Sequence, residues 1–184
     1  PVVSWSTVHM LLTMAVQLGL KTRACDISNA FVTAKLGPEE EIYIEMPRGY
    51  TKDNTVYKLK KSLYGLRQSP KLFFEFLDGK LVDVLGFKQS ANDKCMFFKD
   101  NIIVVSFVDD LLFFSKDNAL IDSTMKELEG EFSLTKDEID QDVFAYLGIS
   151  VERGTDEEGN LQITLKQPGL TKKILNTVKD GNLI

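Results

Sequence analysis

Ile102 to Phe114 is a run of thirteen residues whose only charged side chains are Asp109 and Asp110. A run this apolar ends up inside a protein, and an unpaired carboxylate among buried strands costs several kcal/mol even after relaxation. The fold must therefore give this pair a way out of burial. An exposed turn, neutralisation by basic side chains, or a divalent cation would each do so. The turn is the simplest, since Asp is a common turn residue. It divides the run into a β-hairpin with the aspartates at or near its tip. Mg²⁺ is the natural cation, taking one or two carboxylates and completing its shell with water and substrate phosphate. On this run alone the turn is the stronger reading.

A further carboxylate shifts the balance. Lys21 to Ile27 reads as a short strand with Asp26 near its end, and alternation aims Asp26 away from the face that Cys25 and Ile27 occupy. Carboxylates from two strand ends on one sheet edge can hold two metals ~3.5–4 Å apart, the arrangement of in-line phosphoryl displacement. On local grounds Asp26 serves equally well as a cap for the segment after it. No Gly-rich phosphate loop or Walker-type lysine is present, which disfavours P-loop hydrolysis.

Other chemistries have few residues to work with. His9 is the only histidine and falls on an expected helix, where a surface or satisfied role is the ordinary one. Cys25 and Cys95 form no CxxC pair, so neither a disulfide framework nor a zinc cluster is indicated, and a reducing compartment fits. With 43% hydrophobic and 27% charged residues, the 184-residue chain suits one soluble domain with a sizeable core. No stretch approaches ~20 uninterrupted apolar residues, so no membrane partner is expected. The net charge of −5 hides an uneven spread. Residues 117–158 hold 13 acidic and 3 basic side chains, whereas Lys58, Lys60, Lys61, Arg67 and Lys71 fall within 14 residues free of acids. That local field suits a polyanion, although a solvated face would look the same.

The remaining patterns point to an α+β fold, an antiparallel sheet with helices packed on one face. Ser6 is positioned to cap a helix ending at Gly19, and Ser69-Pro70 to start a second with a wide apolar stripe. Asp117 or Asn118 caps a third, and a last begins near Pro168. Short strands are expected at Glu41–Met46, broken by Pro47-Arg48-Gly49, and at Val56–Lys60, Cys95–Phe98, Phe144–Val151 and Leu161–Leu165. The last two pair across the turn 156–160.

Four ordered motifs carry a resemblance. Cys-Asp-Ile-Ser-Asn-Ala-Phe (25–31), Leu-Tyr-Gly-Leu-Arg-Gln-Ser-Pro (63–70), Phe-Val-Asp-Asp (107–110) and Tyr-Leu-Gly-Ile (146–149) resemble the reverse transcriptase of copia-type LTR retrotransposons. The similarity runs from Trp5 to about Gln167. It implies a polymerase palm with part of the fingers over 1–184, copying RNA or DNA into DNA. By that analogy Asp26, Asp109 and Asp110 are catalytic. Asp26 and Asp109 hold two Mg²⁺ ions, for which Mn²⁺ can substitute, while Asp110 supports them and the Ile27 carbonyl completes a shell. Phe31, five residues after Asp26, becomes a gate against a ribose 2′-hydroxyl, with core packing as its alternative role. Gly65 and Gln68 lie by the nascent base pair. Lys60, Lys61, Arg67 and Lys71 meet template or primer phosphates, and Tyr146, Leu147 and Gly148 support the primer end.

Phe107 stands where the family more often has Tyr, keeping the ring and losing the hydroxyl. The start at Pro1 and the end at Ile184 suggest a segment of a polyprotein. An upstream fingers segment, a thumb and an RNase H domain would then be partners, beside template-primer and dNTPs. The implied setting is the cytoplasm, in a virus-like particle, with a nuclear phase allowed. A catalytically silent retroelement-derived relic or interaction module, and another palm-fold nucleotidyltransferase, stay open as alternatives.

Overall fold

A computed structural model describes residues 1–47, 49–50, 55–136 and 143–179. Arg48, in the expected strand break, lies outside the described residues. In chain order the elements are α1 (Trp5–Leu18), β1 (Lys21–Ser28), a 3₁₀ turn (Ala30–Val32), β2 (Tyr43–Glu45), β3 (Val56–Lys58) and α2 (Ser69–Gly79), which runs into a π turn (Lys80–Val84). Then come β4 (Lys88–Gln89), β5 (Met96–Lys99), β6 (Ile102–Phe107), β7 (Asp110–Ser115), α3 (Asn118–Leu128) and β8 (Ser133–Lys136). β9 (Val143–Tyr146), β10 (Ile149–Thr155), β11 (Leu161–Lys166) and α4 (Pro168–Lys179) complete the chain.

Six strands form one antiparallel sheet in the order β4-β5-β6-β7-β1-β8, and β11-β10-β9 and β2-β3 form two smaller ones. This is the α+β architecture expected. The apolar run of β6 and β7 lies at its centre, and because these strands carry buried side chains on both faces, both faces must be covered. On one face, Phe73, Leu77 and Leu81 together with Ile121, Met125 and Leu128 of α3 pack against Cys25, Ile27, Val104, Leu111 and Phe113. The opposite face is closed by Val8, Leu11, Leu12 and Ala15 of α1 and by Phe144, Tyr146 and Val151 of the three-stranded sheet. The expectation of helices on one face thus describes α2 and α3, and α1 takes the other side.

Local departures have simple causes. The α1 cap is Ser4 rather than Ser6, its Oγ accepting from the Thr7 N–H at 3.1 Å. The Asp93 carboxylate accepts from the Ser4 N–H (3.0 Å) and the Thr7 hydroxyl (2.6 Å), tying this helix start to the chain before β5. Ser69 is fully buried inside the first turn of α2, donating its hydroxyl to the Leu63 carbonyl at 2.6 Å instead of capping. Residues 144–151 do not run as one strand, because Leu147 and Gly148 both take positive φ (52° and 74°) and fold β9 back on β10. Asp117 caps α3, accepting from the Ala119 N–H at 2.8 Å.

Candidate active site

β1 and β7 pair so that Asp26 stands directly opposite Asp110, the last pair of that ladder. β6 and β7 are joined by the two-residue turn Val108-Asp109, across which Phe107 pairs with Asp110. The Ile27 N–H donates to the Asp109 carbonyl at 2.8 Å, which stitches the turn to the end of β1. Three aspartates from two chain segments are therefore brought to neighbouring backbone positions where β1, β7 and the hairpin turn come together. All three are half-buried. Cys25 and Ile27 lie in the core beneath α2 and α3 while Ala24 lies in the opposite core, so alternation puts Asp26 on the α1 side, as its sequence pattern predicts.

The turn carries strain. Val108 has φ 57°, a left-handed conformation that is an outlier for a β-branched residue and costs about 1–3 kcal/mol. Only the first loop residue has positive φ, the pattern of a type II′ hairpin turn, whose usual occupant there is Gly.

Electrostatics at the edge are unfavourable to the Asp26 anion. Burial, with the negative charge of Asp109 adding to it, pushes the Asp26 carboxyl above its ordinary value of 3.8. Carboxylate and carbonyl oxygens are the hard donors that Mg²⁺ or Mn²⁺ takes, and a cation at this edge would reverse the repulsion. The donor chemistry of Asp26, Asp109, Asp110 and the Ile27 carbonyl fits such an ion. Among the described residues, however, no three His, Cys, Asp or Glu side chains are already gathered around one point.

Phe31 lies within the 3₁₀ turn that leaves β1. It is half-buried, its ring set edge-on to Phe73 at 6.1 Å and tilted against Tyr64 at 4.9 Å. The Ser62 hydroxyl donates to the Phe31 carbonyl and fixes the turn. Phe31 is therefore anchored in the core on one side and joined to the surface through Tyr64, which is 52% exposed. Sequence reasoning did not select Tyr64 as a site residue; its adjacency to Gly65 was the available signal. Gly65 is exposed at φ 94°, and Gln68 is half-buried at the head of α2.

A cavity of about 460 Å³ opens between the hairpin tip and the start of α2, lined by Val108, Phe73, Phe74, Pro70, Arg67 and Lys71. It brings two of the expected basic residues to the carboxylate hairpin. Lys60 and Lys61 are exposed on the segment between β3 and α2, Lys61 forming an isolated backbone bridge with Lys35. Thr135, which sequence reasoning also missed, stands opposite Asp26 on β8 and lies 3.0 Å from the Ser28 hydroxyl. Of the last motif, Leu147 and Gly148 form a turn whose Gly148 is exposed, whereas the Tyr146 ring is 2% exposed and packs inside the second core. Its burial leaves the turn, not the ring, available for contact.

The chain is 34% identical over 142 residues to the retrovirus-related Pol polyprotein from transposon TNT 1-94 of Nicotiana tabacum, covering 73% of this chain. It is 30% identical over 160 residues to the corresponding polyprotein from transposon RE1 of Arabidopsis thaliana, covering 83%. The chain spans about a tenth of the length of these relatives. Among solved structures, a telomerase from Candida albicans aligns with 90% of this chain and 36% of its own at TM-score 0.49 and 11% identity. The family model described as reverse transcriptase (RNA-dependent DNA polymerase) matches residues 1–182, and the chain belongs to that family.

Proposed function

We propose that this chain is the nucleotidyl-transfer core of a copia-like RNA-directed DNA polymerase, extending a primer 3′-hydroxyl with dNTPs on an RNA or DNA template. The observation that carries this reading is the pairing of Asp26 with Asp110 across β1 and β7, with Asp109 in the turn bonded to Ile27. Asp26 and Asp109, supported by Asp110 and the Ile27 carbonyl, would hold two divalent cations. Such ions, when bound, lower the pKa of an attacking hydroxyl and steady a triphosphate and its leaving pyrophosphate. The chain's own residues then position the reactants. Phe31 presents its free edge toward the sugar, Gly65 and Gln68 lie by the new base pair, and Lys60, Lys61, Arg67 and Lys71 meet backbone phosphates. The Leu147-Gly148 turn supports the primer end. Fingers, thumb and RNase H segments of a Pol polyprotein are the partners proposed, and a cytoplasmic particle is the setting.

A second reading, a silent interaction module, draws support from the absence of a preformed three-residue metal cluster among the described residues. Primer extension on an RNA template with Mg²⁺ separates the two, run with Asp26→Asn and Asp109→Asn alongside. Extension lost in both variants is expected. Extension intact in both would overturn the polymerase reading, and synthesis that needs no primer would favour another palm-fold nucleotidyltransferase.

A further inference from the structure

The Tyr146 hydroxyl is a buried polar atom with no hydrogen-bond partner. Phenylalanine would fill the same space without that unmet demand, since an unsatisfied buried donor is a net loss to the fold. The ring packs in the second core, which also holds Leu112, and Leu112 lies two residues along β7 from Asp110 on the same side of the strand. The tyrosine therefore stands behind the face that carries Asp110 and, across the ladder, Asp26. The surroundings agree: burial pushes the phenol upward, and among charged neighbours the Asp110 carboxylate acts on it most strongly, ahead of Cys95 and Asp93. Asp93 already accepts three hydrogen bonds, which leaves Asp110 as the carboxylate on that face for the tyrosine to reach.

We infer that Tyr146 is a positioning residue for the carboxylate edge, donating its O–H to Asp110 when a divalent cation is held there and so fixing the orientation of that carboxylate. The inference rests on the metal-binding reading above and adds to it a residue that touches neither cation nor substrate. A tyrosine that merely filled the core would affect stability and leave metal affinity alone.

The test measures Mn²⁺ binding to the full chain by electron paramagnetic resonance, which requires no template, primer or catalysis. Wild type, Tyr146→Phe, Asp110→Asn and the double variant are compared, with thermal unfolding confirming that each folds. Tyr146→Phe is expected to melt no lower than wild type and to bind Mn²⁺ at least about tenfold more weakly, the effect of losing one hydrogen bond to a charged acceptor. In the Asp110→Asn background the same change is expected to add nothing, the signature of coupled residues. Equal Mn²⁺ affinity in wild type and Tyr146→Phe would overturn the inference, as would losses that simply add. If Mn²⁺ binding weakens as expected but no chain extends a primer, the polymerase reading fails and the positioning role stands. A wild-type chain that binds no Mn²⁺ overturns both.

Discussion

Two aspartate neighbourhoods on the same strand-end rim of the six-stranded sheet, one before β5 and one at β1 and the β6–β7 turn, solve the same problem in opposite ways. Asp93 sits half-buried with donors from three directions, the Ser4 N–H, the Thr7 hydroxyl and the Cys95 N–H, the last at 3.0 Å. Burial alone would raise its carboxyl, but these bonds outweigh it and hold the group below its ordinary value. At the other neighbourhood Asp26 is raised by burial and by Asp109, Val108 is held in a left-handed conformation, and Tyr146 keeps a hydroxyl without a partner. The Asp93 carboxylate is held by three donors, whereas the Asp26 carboxyl is raised and the turn beside it is strained. A chain selected only to fold would arrange both corners like the first. Strain and like charge are thus concentrated in the second neighbourhood, and functional sites are where proteins commonly store them.

The comparison is broken most forcefully by removing charge from each corner. Asp109→Asn is expected to lower primer extension by about three orders of magnitude, since several kcal/mol of metal-mediated charge stabilisation would go with it. Its melting temperature should not fall. Asp93→Ala is expected to do the reverse: about 1–3 kcal/mol of unfolding free energy lost, because two backbone N–H groups and a hydroxyl lose their acceptor. Extension assays and denaturant titrations on the same two variants read both effects. Equal stability losses would show that the two corners do the same work.

This contrast also marks what was legible in the sequence. The hairpin at Ile102–Phe114 was readable because a thirteen-residue run with ten apolar side chains allows few alternatives, and the face of Asp26 followed from strand alternation. The edge partners β4 and β8 were not, being 2 and 4 residues long with no alternating pattern to announce them. Nor was the break at Leu147-Gly148, where local hydrophobicity alone predicts one continuous strand and only the resemblance implied a hairpin. Pairing Asp26 with Asp110 needed the three-dimensional register, since 83 intervening positions carry no local signal of it. The status of Asp93 was invisible for the same reason: two of its donors, Ser4 and Thr7, lie at the start of α1, more than 80 residues away in sequence. The burial of Tyr146 also came only from packing, because its motif reads equally well as an exposed contact.

A smaller effect sharpens the point about strain. Val108→Gly frees a turn residue from a conformation costing about 1–3 kcal/mol, offset by about 0.5–1 kcal/mol of added backbone freedom in the unfolded chain. A net stabilisation of about 1 kcal/mol is expected in urea unfolding. Primer extension should nevertheless decline, because the freed turn no longer fixes the direction of Asp109. A destabilised Val108→Gly chain would mean that the turn is not strained, and the contrast between the corners would narrow to charge alone.

The finest test is the sign of two pH dependences, measured as unfolding free energy of each Asp→Asn variant relative to wild type in metal-free buffer. The Asp26 carboxyl is raised in the folded state, so folding binds protons there and the ionised group opposes folding. Asp26→Asn is therefore expected to be more stable than wild type near neutrality. That advantage should shrink as pH falls through the raised value and vanish below the ordinary 3.8. The Asp93 carboxyl is lowered, so its contribution is present above 3.8 and is lost as pH falls through its folded-state value. Asp93→Asn should accordingly be less stable than wild type near neutrality and converge with it in acid. The two difference curves thus have opposite signs and opposite slopes. Adding Mg²⁺ should abolish the advantage of Asp26→Asn, because the cation then favours the ionised wild-type carboxylate, and it should leave the Asp93 curve where it was. A curve for Asp26→Asn that lies below wild type without metal would mean the carboxylate edge is satisfied by the protein itself, with no demand left for a cation to meet.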